Sequence, residues 1–311
     1  MKKILVVGSL NVDMVVNVDH TPVTGETILT NTLTLVPGGK GANQACAAGC
    51  LGADVKMLGA VGKDSYAEMQ MQSLKKAGVD VSAIIRKEEE PTGLAMIAVN
   101  AEGDNCIIVV SGANAALSPE DVEANADLIR NSDIVILQLE IPLDTVLCTA
   151  KMAKAYGKLV ILDPAPVPKV FPQELYQYID VIKPNETELS MLTGLSCTGE
   201  NIEKGTELLK ENGVRDVLVT LGEKGVYINS DRFGKILIPA HKVEAVDTTA
   251  AGDSFTAALA LMLAQGKDIR EAAEFANYVS AIVVTRKGAQ SSIPKLEEVE
   301  EYMKKGLMDC S

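Results

Sequence analysis

Short apolar runs alternate with longer stretches in which apolar residues recur every three or four positions. The runs at Lys3–Val7, 56–60, 133–137, 158–162, 181–183 and 216–221 predict β-strands. Several are apolar at successive positions, as strands buried on both faces of a parallel sheet must be. The stretches 40–51, 65–77, 119–131, 143–156, 186–192 and 200–212 predict the helices between them, and 254–264 predicts a further one. Strand and helix in regular alternation predict a doubly wound α/β sheet.

Two stretches break the rhythm. Residues 12–36 hold β-prone runs without a helix, and 92–110 reads as a hairpin turning at Glu102-Gly103-Asp104-Asn105. Both predict a small sheet that projects as a lid or an interface; a plain extension of the main sheet is the alternative. No repeat, linker or low-complexity tract divides the chain, so 1–311 is expected to be one α/β domain with a β appendage. That length buries a core without help from a metal or a disulfide.

Charge narrows the function classes. Lys and Arg number 29 against 42 Asp and Glu, a net charge of −13. A basic footprint for nucleic acid or an anionic membrane surface is missing. Aromatic residues make up 4% of the chain, too few for a base-stacking platform. No apolar run approaches a membrane span, and the apolar start at Ile4 meets Asn11 and Asp13 too soon for a signal peptide. Only His20 and His241 could serve a histidine-dependent site. Cys46, Cys50, Cys106, Cys148, Cys197 and Cys310 are scattered without paired ligand spacing. Cys46 and Cys50, a helical turn apart, read as packing thiols. A reducing, cytoplasmic location is the expectation.

Four turns carry candidate chemistry. Pro37-Gly38-Gly39-Lys40-Gly41-Ala42-Asn43-Gln44 lets the backbone approach a ligand closely as a helix begins. It lacks the Ser or Thr after Lys of a Walker A loop and the third Gly of a dinucleotide fingerprint. Val246-Asp247-Thr248-Thr249-Ala250-Ala251-Gly252-Asp253 runs into a helix whose first amides would face an anion. Asp253 beside that anion reads as a general base for an attacking hydroxyl, or else as a plain N-terminal helix carboxylate. Lys183-Pro184-Asn185-Glu186-Thr187-Glu188 opens a helix after a strand, where open α/β sheets bind ligands. There Asn185 is a candidate N-cap and Glu188 lies within reach of a metal–phosphate cluster. Thr220-Leu221-Gly222-Glu223-Lys224-Gly225 is a strand-end turn that could cover a nucleotide.

In their order and spacing these segments, with Gly8-Ser9-Leu10-Asn11-Val12-Asp13, Ser111-Gly112-Ala113-Asn114, Gln138-Leu139-Glu140 and Thr285-Arg286-Lys287-Gly288-Ala289-Gln290, resemble the ribokinase-like (PfkB) carbohydrate kinase family over essentially the whole chain. The resemblance implies a three-layer αβα sandwich with a small β-sheet lid, formed here by about 12–36 and 92–110. It also implies transfer of the ATP γ-phosphoryl group to the 5-hydroxyl of ribose, with deoxyribose, another sugar or a nucleoside as alternative acceptors. Asp253 would be the base, and the amides of Ala250, Ala251 and Gly252 the anion hole. Asn11, Asp13, Gly39, Lys40, Gly41, Asn43 and Glu140 would bind the sugar. ATP would contact Asn185, Thr220, Leu221, Gly222, Glu223, Gly225, Gly252 and Asn277. Glu188 would anchor Mg²⁺ through water. Asp247, Thr249, Val283, Arg286, Gly288 and Ser292 would hold K⁺, largely through backbone carbonyls. A homodimer through the lid is implied as well.

Overall fold

A computed structural model describes residues 2–197, 199 and 201–308. The predicted helix start at Glu200 and the cysteine Cys310 lie outside the described residues. Ile4 and Val6 face one side of β1 (Lys3–Val7), and Leu5 and Val7 face the other; all four are buried, each pair in its own core. The alternation repeats in the neighbouring strands, which is why both faces had to be apolar. After β1 come β2 (Asn11–Asn17), β3 (Thr34–Gly38), helix α1 (Lys40–Cys50), β4 (Asp54–Leu58), β5 (Ala60–Val61), α2 (Ser65–Lys76) and β6 (Ile85–Arg86). Then follow β7 (Gly93–Val99), β8 (Asn105–Val110), α3 (Pro119–Ala124), α4 (Ala126–Arg130), β9 (Ile134–Leu137), α5 (Leu143–Ala155), β10 (Leu159–Leu162) and β11 (Val181–Ile182). The rest comprises α6 (Glu186–Thr193), α7 (Asn201–Glu211), β12 (Asp216–Thr220), β13 (Val226–Ser230), β14 (Gly234–Ile238), α8 (Ala251–Ala264), α9 (Ile269–Val283) and α10 (Leu296–Met308).

The main sheet has eight strands in the order β14-β13-β12-β11-β10-β9-β1-β4. From β4 to β12 every pairing is parallel, and β13 and β14 add antiparallel at one edge. Helices α1, α8 and α9 pack on one face through small residues such as Ala45, Ala48, Ala257, Ala260 and Ala276. The other face is covered by α5, α6 and α7 through Val146, Ala150, Leu189 and Leu209. This is the three-layer αβα arrangement.

The chain first steps outward from β1 to β4, then returns past β1 to β9 and builds away from it. That reversal makes the carboxyl ends of β1 and β9 the crevice where doubly wound sheets bind ligands.

The segment after β1 does not extend the main sheet. It enters a separate four-stranded sheet, β3-β2-β7-β8, in which β2 pairs β7 in parallel and both outer pairs are antiparallel. Three departures from the periodicity reading have local causes. The predicted helix 119–131 is broken at Asn125, whose φ of −109° and ψ of 21° leave the helical region while its Nδ2 donates to Asp121 C=O at 2.8 Å. The predicted strand 56–60 ends at Leu58, and Ala60–Val61 pairs instead with β6. The antiparallel edge β13–β14 and the helices α9 and α10 fell outside the segments named from sequence.

Candidate active site

Four turns meet at the carboxyl edge of the sheet. The turn after β1 carries Asn11 and Asp13 onto β2, beside the glycine turn that opens α1. Gly39 has φ 89°, and a Cβ there would lie 2.6 Å from the Asn11 nitrogen, so only glycine allows this approach. A Cβ on Gly38 would strike the Asp13 carboxylate, 2.3 Å from Oδ2. The Gln70 amide donates to the carbonyls of Asn11 and of Gly38, fastening the two segments. Asn114 Nδ2 donates to Asn11 Oδ1 at 2.7 Å, which fixes the Asn11 side chain.

Glu140, at the end of the β9 turn, accepts from Ser9 Oγ at 2.6 Å and from the Lys40 N–H at 3.1 Å. Asn11, Asn114 and Glu140 line a cavity of about 370 Å³, which also touches Val109 of β8. Burial, then the charges of Glu140 and Asp253, push the Asp13 carboxyl up to about 7. Burial opposes the charge on Lys40, but Asp253, Asp163, Glu140 and Glu188 around it outweigh that and hold its ammonium well above the ordinary lysine range.

Asp253 sits in the first turn of α8, 6% exposed. Its two oxygens accept from Asn43 Nδ2 at 3.0 Å and from Gln44 Nε2 at 3.1 Å. Gln44 Nε2 also donates to Asp163 Oδ2 at 3.0 Å, and Gln138 Nε2 donates to Gln44 Oε1 at 2.6 Å. Burial raises the Asp253 pKa against the lowering effect of Lys40, with Asp163 adding to the rise. Ala250, at the α8 N-cap, has φ 60°, the only non-glycine with positive φ among the described residues. The N–H groups of Ala250, Gly252 and Asp253 meet no acceptor among the described residues. The N–H of Ala251, expected with them, is turned instead to Thr248 C=O at 3.2 Å.

A second, larger cavity of about 880 Å³ opens over α8. Lys40, Asp163, Lys183, Glu188, Gly252 and Asp253 line it, as do Asn185, Thr220, Gly222, Glu223, Gly225 and Asn277. Leu221, expected among the nucleotide contacts, is instead packed into the core. Gly41 is buried against Ser9, where a Cβ would lie 2.6 Å from the Ser9 nitrogen, so only glycine lets α1 start this close to the turn after β1. Asn277 Nδ2 donates to Pro239 C=O at 3.3 Å, holding α9 to the segment after β14.

Asn185 and Glu188 form a capping box on α6: Asn185 Oδ1 accepts from the Glu188 N–H at 2.7 Å and Glu188 Oε2 from the Asn185 N–H at 2.8 Å. The N-cap reading of Asn185 holds, and the cap lies on the wall of the larger cavity. Burial first and Asp163 second push the Glu188 carboxyl up, leaving an acceptor-rich corner suited to a hydrated divalent cation.

Asp247 joins the two loops expected around K⁺. Its Oδ1 accepts from the Thr249 N–H and Oγ1 at 2.9 and 2.6 Å, and its Oδ2 from the Gly288 N–H at 2.8 Å. Val283 C=O accepts from the Arg286 N–H, Arg286 pairs with Glu298 at 2.5 Å, and Ser292 Oγ donates to Ala289 C=O. The side chains of Asp247, Arg286 and Ser292 are thus committed to shaping the loops. What the loops leave for a cation is hard oxygen from backbone carbonyls, a donor set that fits a large monovalent ion.

Periodicity and glycine spacing did not single out Asp163 and Lys183, though both are buried and join the network directly. Each stands immediately after a parallel strand, β10 and β11 respectively. A charged residue ending an otherwise apolar strand was the available signal.

Glycine turns, a buried carboxylate at a helix N-terminus with open amides, and a large cavity lined by that carboxylate define a phosphoryl-transfer site; Lys40 on its wall donates its N–H to Glu140 of the smaller cavity. The chain belongs to the pfkB family of carbohydrate kinases, whose profile matches residues 1–296. Its relatives include a ribokinase of Staphylococcus aureus, 40% identical over 96% of this chain and 99% of that one. A deoxyribokinase of Salmonella typhi is 36% identical over 96% and 98% of the two chains. The structure of an Arabidopsis thaliana ribokinase complexed with ribose and ATP superposes with a TM-score of 0.93, at 36% identity over 97% of this chain and 99% of that one.

Proposed function

We propose that the protein is an ATP-dependent kinase that phosphorylates D-ribose on its 5-hydroxyl. The observation that carries this reading is Asp253: a buried carboxylate within the charge field of the Asn11–Glu140 pocket, and on the wall of the larger cavity. Sugar bound by Asn11, Asp13, Gly39, Lys40, Asn43 and Glu140 presents its primary hydroxyl to Asp253. Asp253 takes the hydroxyl proton as the oxygen bonds to the γ-phosphorus and the bond to the β-phosphate oxygen breaks, releasing ADP. The open amides of Ala250 and Gly252, with that of Asp253, meet the charge on the transferring group. A carboxylate accepting two sugar hydroxyls gains about 1.5–3 kcal/mol per bond, which suits Asp13.

ATP lies in the larger cavity against Asn185, Thr220, Gly222, Glu223, Gly225 and Asn277. Bound Mg²⁺ would neutralise phosphate charge, held through water by Glu188 and oriented by the Asn185 cap. Bound K⁺ would add positive field beside the α8 N-terminus, held by the carbonyls of the loops that Asp247 joins. The small sheet acts as a lid: Val109 already reaches the sugar cavity, and closure excludes water that would otherwise hydrolyse ATP.

Strand β8 also supports a homodimer through this sheet. It is exposed along its whole length, with Ile107, Ile108, Val109 and Val110 all open, an apolar edge that a second copy would cover. No helix among the described residues is long and apolar enough to cross a membrane. The free thiols of Cys46, Cys50, Cys106, Cys148 and Cys197 support a reducing, cytoplasmic site of action.

The Salmonella relative makes 2-deoxyribose the second reading. Comparing kcat/KM across ribose, deoxyribose, hexoses and nucleosides tests the assignment. Ribose should be preferred; a higher value for deoxyribose or a nucleoside overturns it.

A further inference from the structure

We propose that Lys183 donates a hydrogen bond to the terminal phosphoryl group of the nucleotide, and that Asp163 is a positioning residue that aims it there. The proposal rests on the kinase reading above and deepens it.

Lys183 leaves the sheet at the carboxyl end of β11 and reaches under α8. Its Nζ lies 3.1 Å from Asp163 Oδ2 and 3.2 Å from Gly252 C=O. The two side chains are 5% and 3% exposed, yet both residues line the larger cavity. An ammonium carries three donors. Two are committed here, and the third has no acceptor among the described residues. Nζ is also packed tightly on Gly252, since a Cβ there would stand 3.2 Å from it. The charge therefore adjoins the open amides that face the transferring phosphoryl group.

Asp163 fixes that position. Its Oδ2 accepts from Lys183 and from Gln44, and Gln44 holds Asp253 through the same amide nitrogen. General base and cation are thus linked through two side chains, Gln44 and Asp163. The remaining oxygen of Asp163, Oδ1, is buried with no partner among the described residues.

Packing does not explain such a couple. A buried ion pair seldom repays its desolvation, and an apolar pair of similar size is often as stable or more so. The electrostatics of the site do explain it. Asp13, Glu140, Asp163, Glu188 and Asp253 gather here, and Lys40 shares their field with Lys183. Negative charge grows on the γ-phosphoryl oxygens and the departing phosphate as the bond breaks. A cation already oriented in a water-poor site meets it without reorganisation.

The test is the double variant Lys183→Met/Asp163→Asn, which strands no buried charge and leaves Gln44 an amide oxygen to donate to. It should melt within about 3 °C of the parent, since both charges leave together. Measured by calorimetry without sugar, ADP affinity should stay within about twofold while ATP affinity falls about tenfold, the loss of one charged hydrogen bond. With ribose, kcat should fall by about 10²–10³. An unchanged ATP-to-ADP affinity ratio, or kcat within about threefold of the parent, overturns the proposal. If the double variant does not fold, Lys183→Gln, which keeps a donor to Asp163, is judged by the same ratio. Because nucleotide binding is read without sugar, parent protein inactive on ribose would sink the substrate assignment while the ratio still judges Lys183.

Discussion

Asp13→Asn should make the sugar-free protein more stable and a poorer enzyme. Asp13 faces Glu140 and Asp253 across the sugar site, and burial with these two charges lifts its carboxyl from the ordinary 3.8 to about 7. Below pH 3.8 the folded and unfolded chains both keep the proton, and the site costs nothing. Between there and about 7 the unfolded chain releases the proton while the folded chain retains it, so stability falls through that window; above it the penalty is complete. A gap of this size corresponds to roughly 4 kcal/mol. The Asp13 side chain is only half-buried, and solvent screening reduces the figure to about 2 kcal/mol. For a chain of 311 residues that is about 3 °C in melting temperature. Thermal melts without sugar should place Asp13→Asn above the parent at pH 8, with a smaller gap at pH 5. The amide also loses charged acceptance of sugar hydroxyls, so the ribose KM should rise about tenfold or more. A variant no more stable than the parent at pH 8, or a gap that widens toward pH 5, would mean that Asp13 carries no such burial penalty.

Two glycines with positive φ make a further comparison. Gly39→Ala brings a methyl within 2.6 Å of the Asn11 nitrogen, whereas Gly222→Ala meets nothing within 4 Å. Steady-state kinetics should show the first losing most of its sugar affinity and the second, at a cost of about 1 kcal/mol in backbone strain, keeping it; equal effects would mean that the close approach is unimportant. Replacing Na⁺ by K⁺ should raise kcat if the loops joined by Asp247 hold a monovalent cation, and an activity indifferent to K⁺ removes that site. Polar substitution of Ile108 and Val110 on the exposed β8 edge should yield monomers in light scattering, and a parent that is itself monomeric refutes the lid-edge dimer.

The sequence reading succeeded where one physical rule acted alone. Lys3–Val7 is a strand because it must be apolar on both faces, and Asn185 caps α6 because its side chain reaches the Glu188 N–H. Asn125 defeats the same logic: apolar spacing runs straight through it, and only its own hydrogen bond to Asp121 breaks the helix. In the site, glycine spacing revealed the turns at Gly39 and Gly252, where the backbone packs closely or leaves its amides open. It could not reveal that Ala251 turns its N–H to Thr248, or that Leu221 packs inward from a turn whose neighbours line the cleft. Asp163 and Lys183 were hidden for another reason. They are twenty residues apart on separate strands, and only the parallel pairing of β10 with β11 makes them a pair.

The proposed kinase activity turns on Asp253 taking the proton from the sugar hydroxyl. The direct measurement is the rate of sugar-dependent ADP formation by Asp253→Asn at saturating ribose and ATP, with sugar and nucleotide affinities measured alongside. kcat should fall by about 10²–10⁴ with both affinities largely kept. An Asp253→Asn enzyme turning over at the parent rate would contradict it.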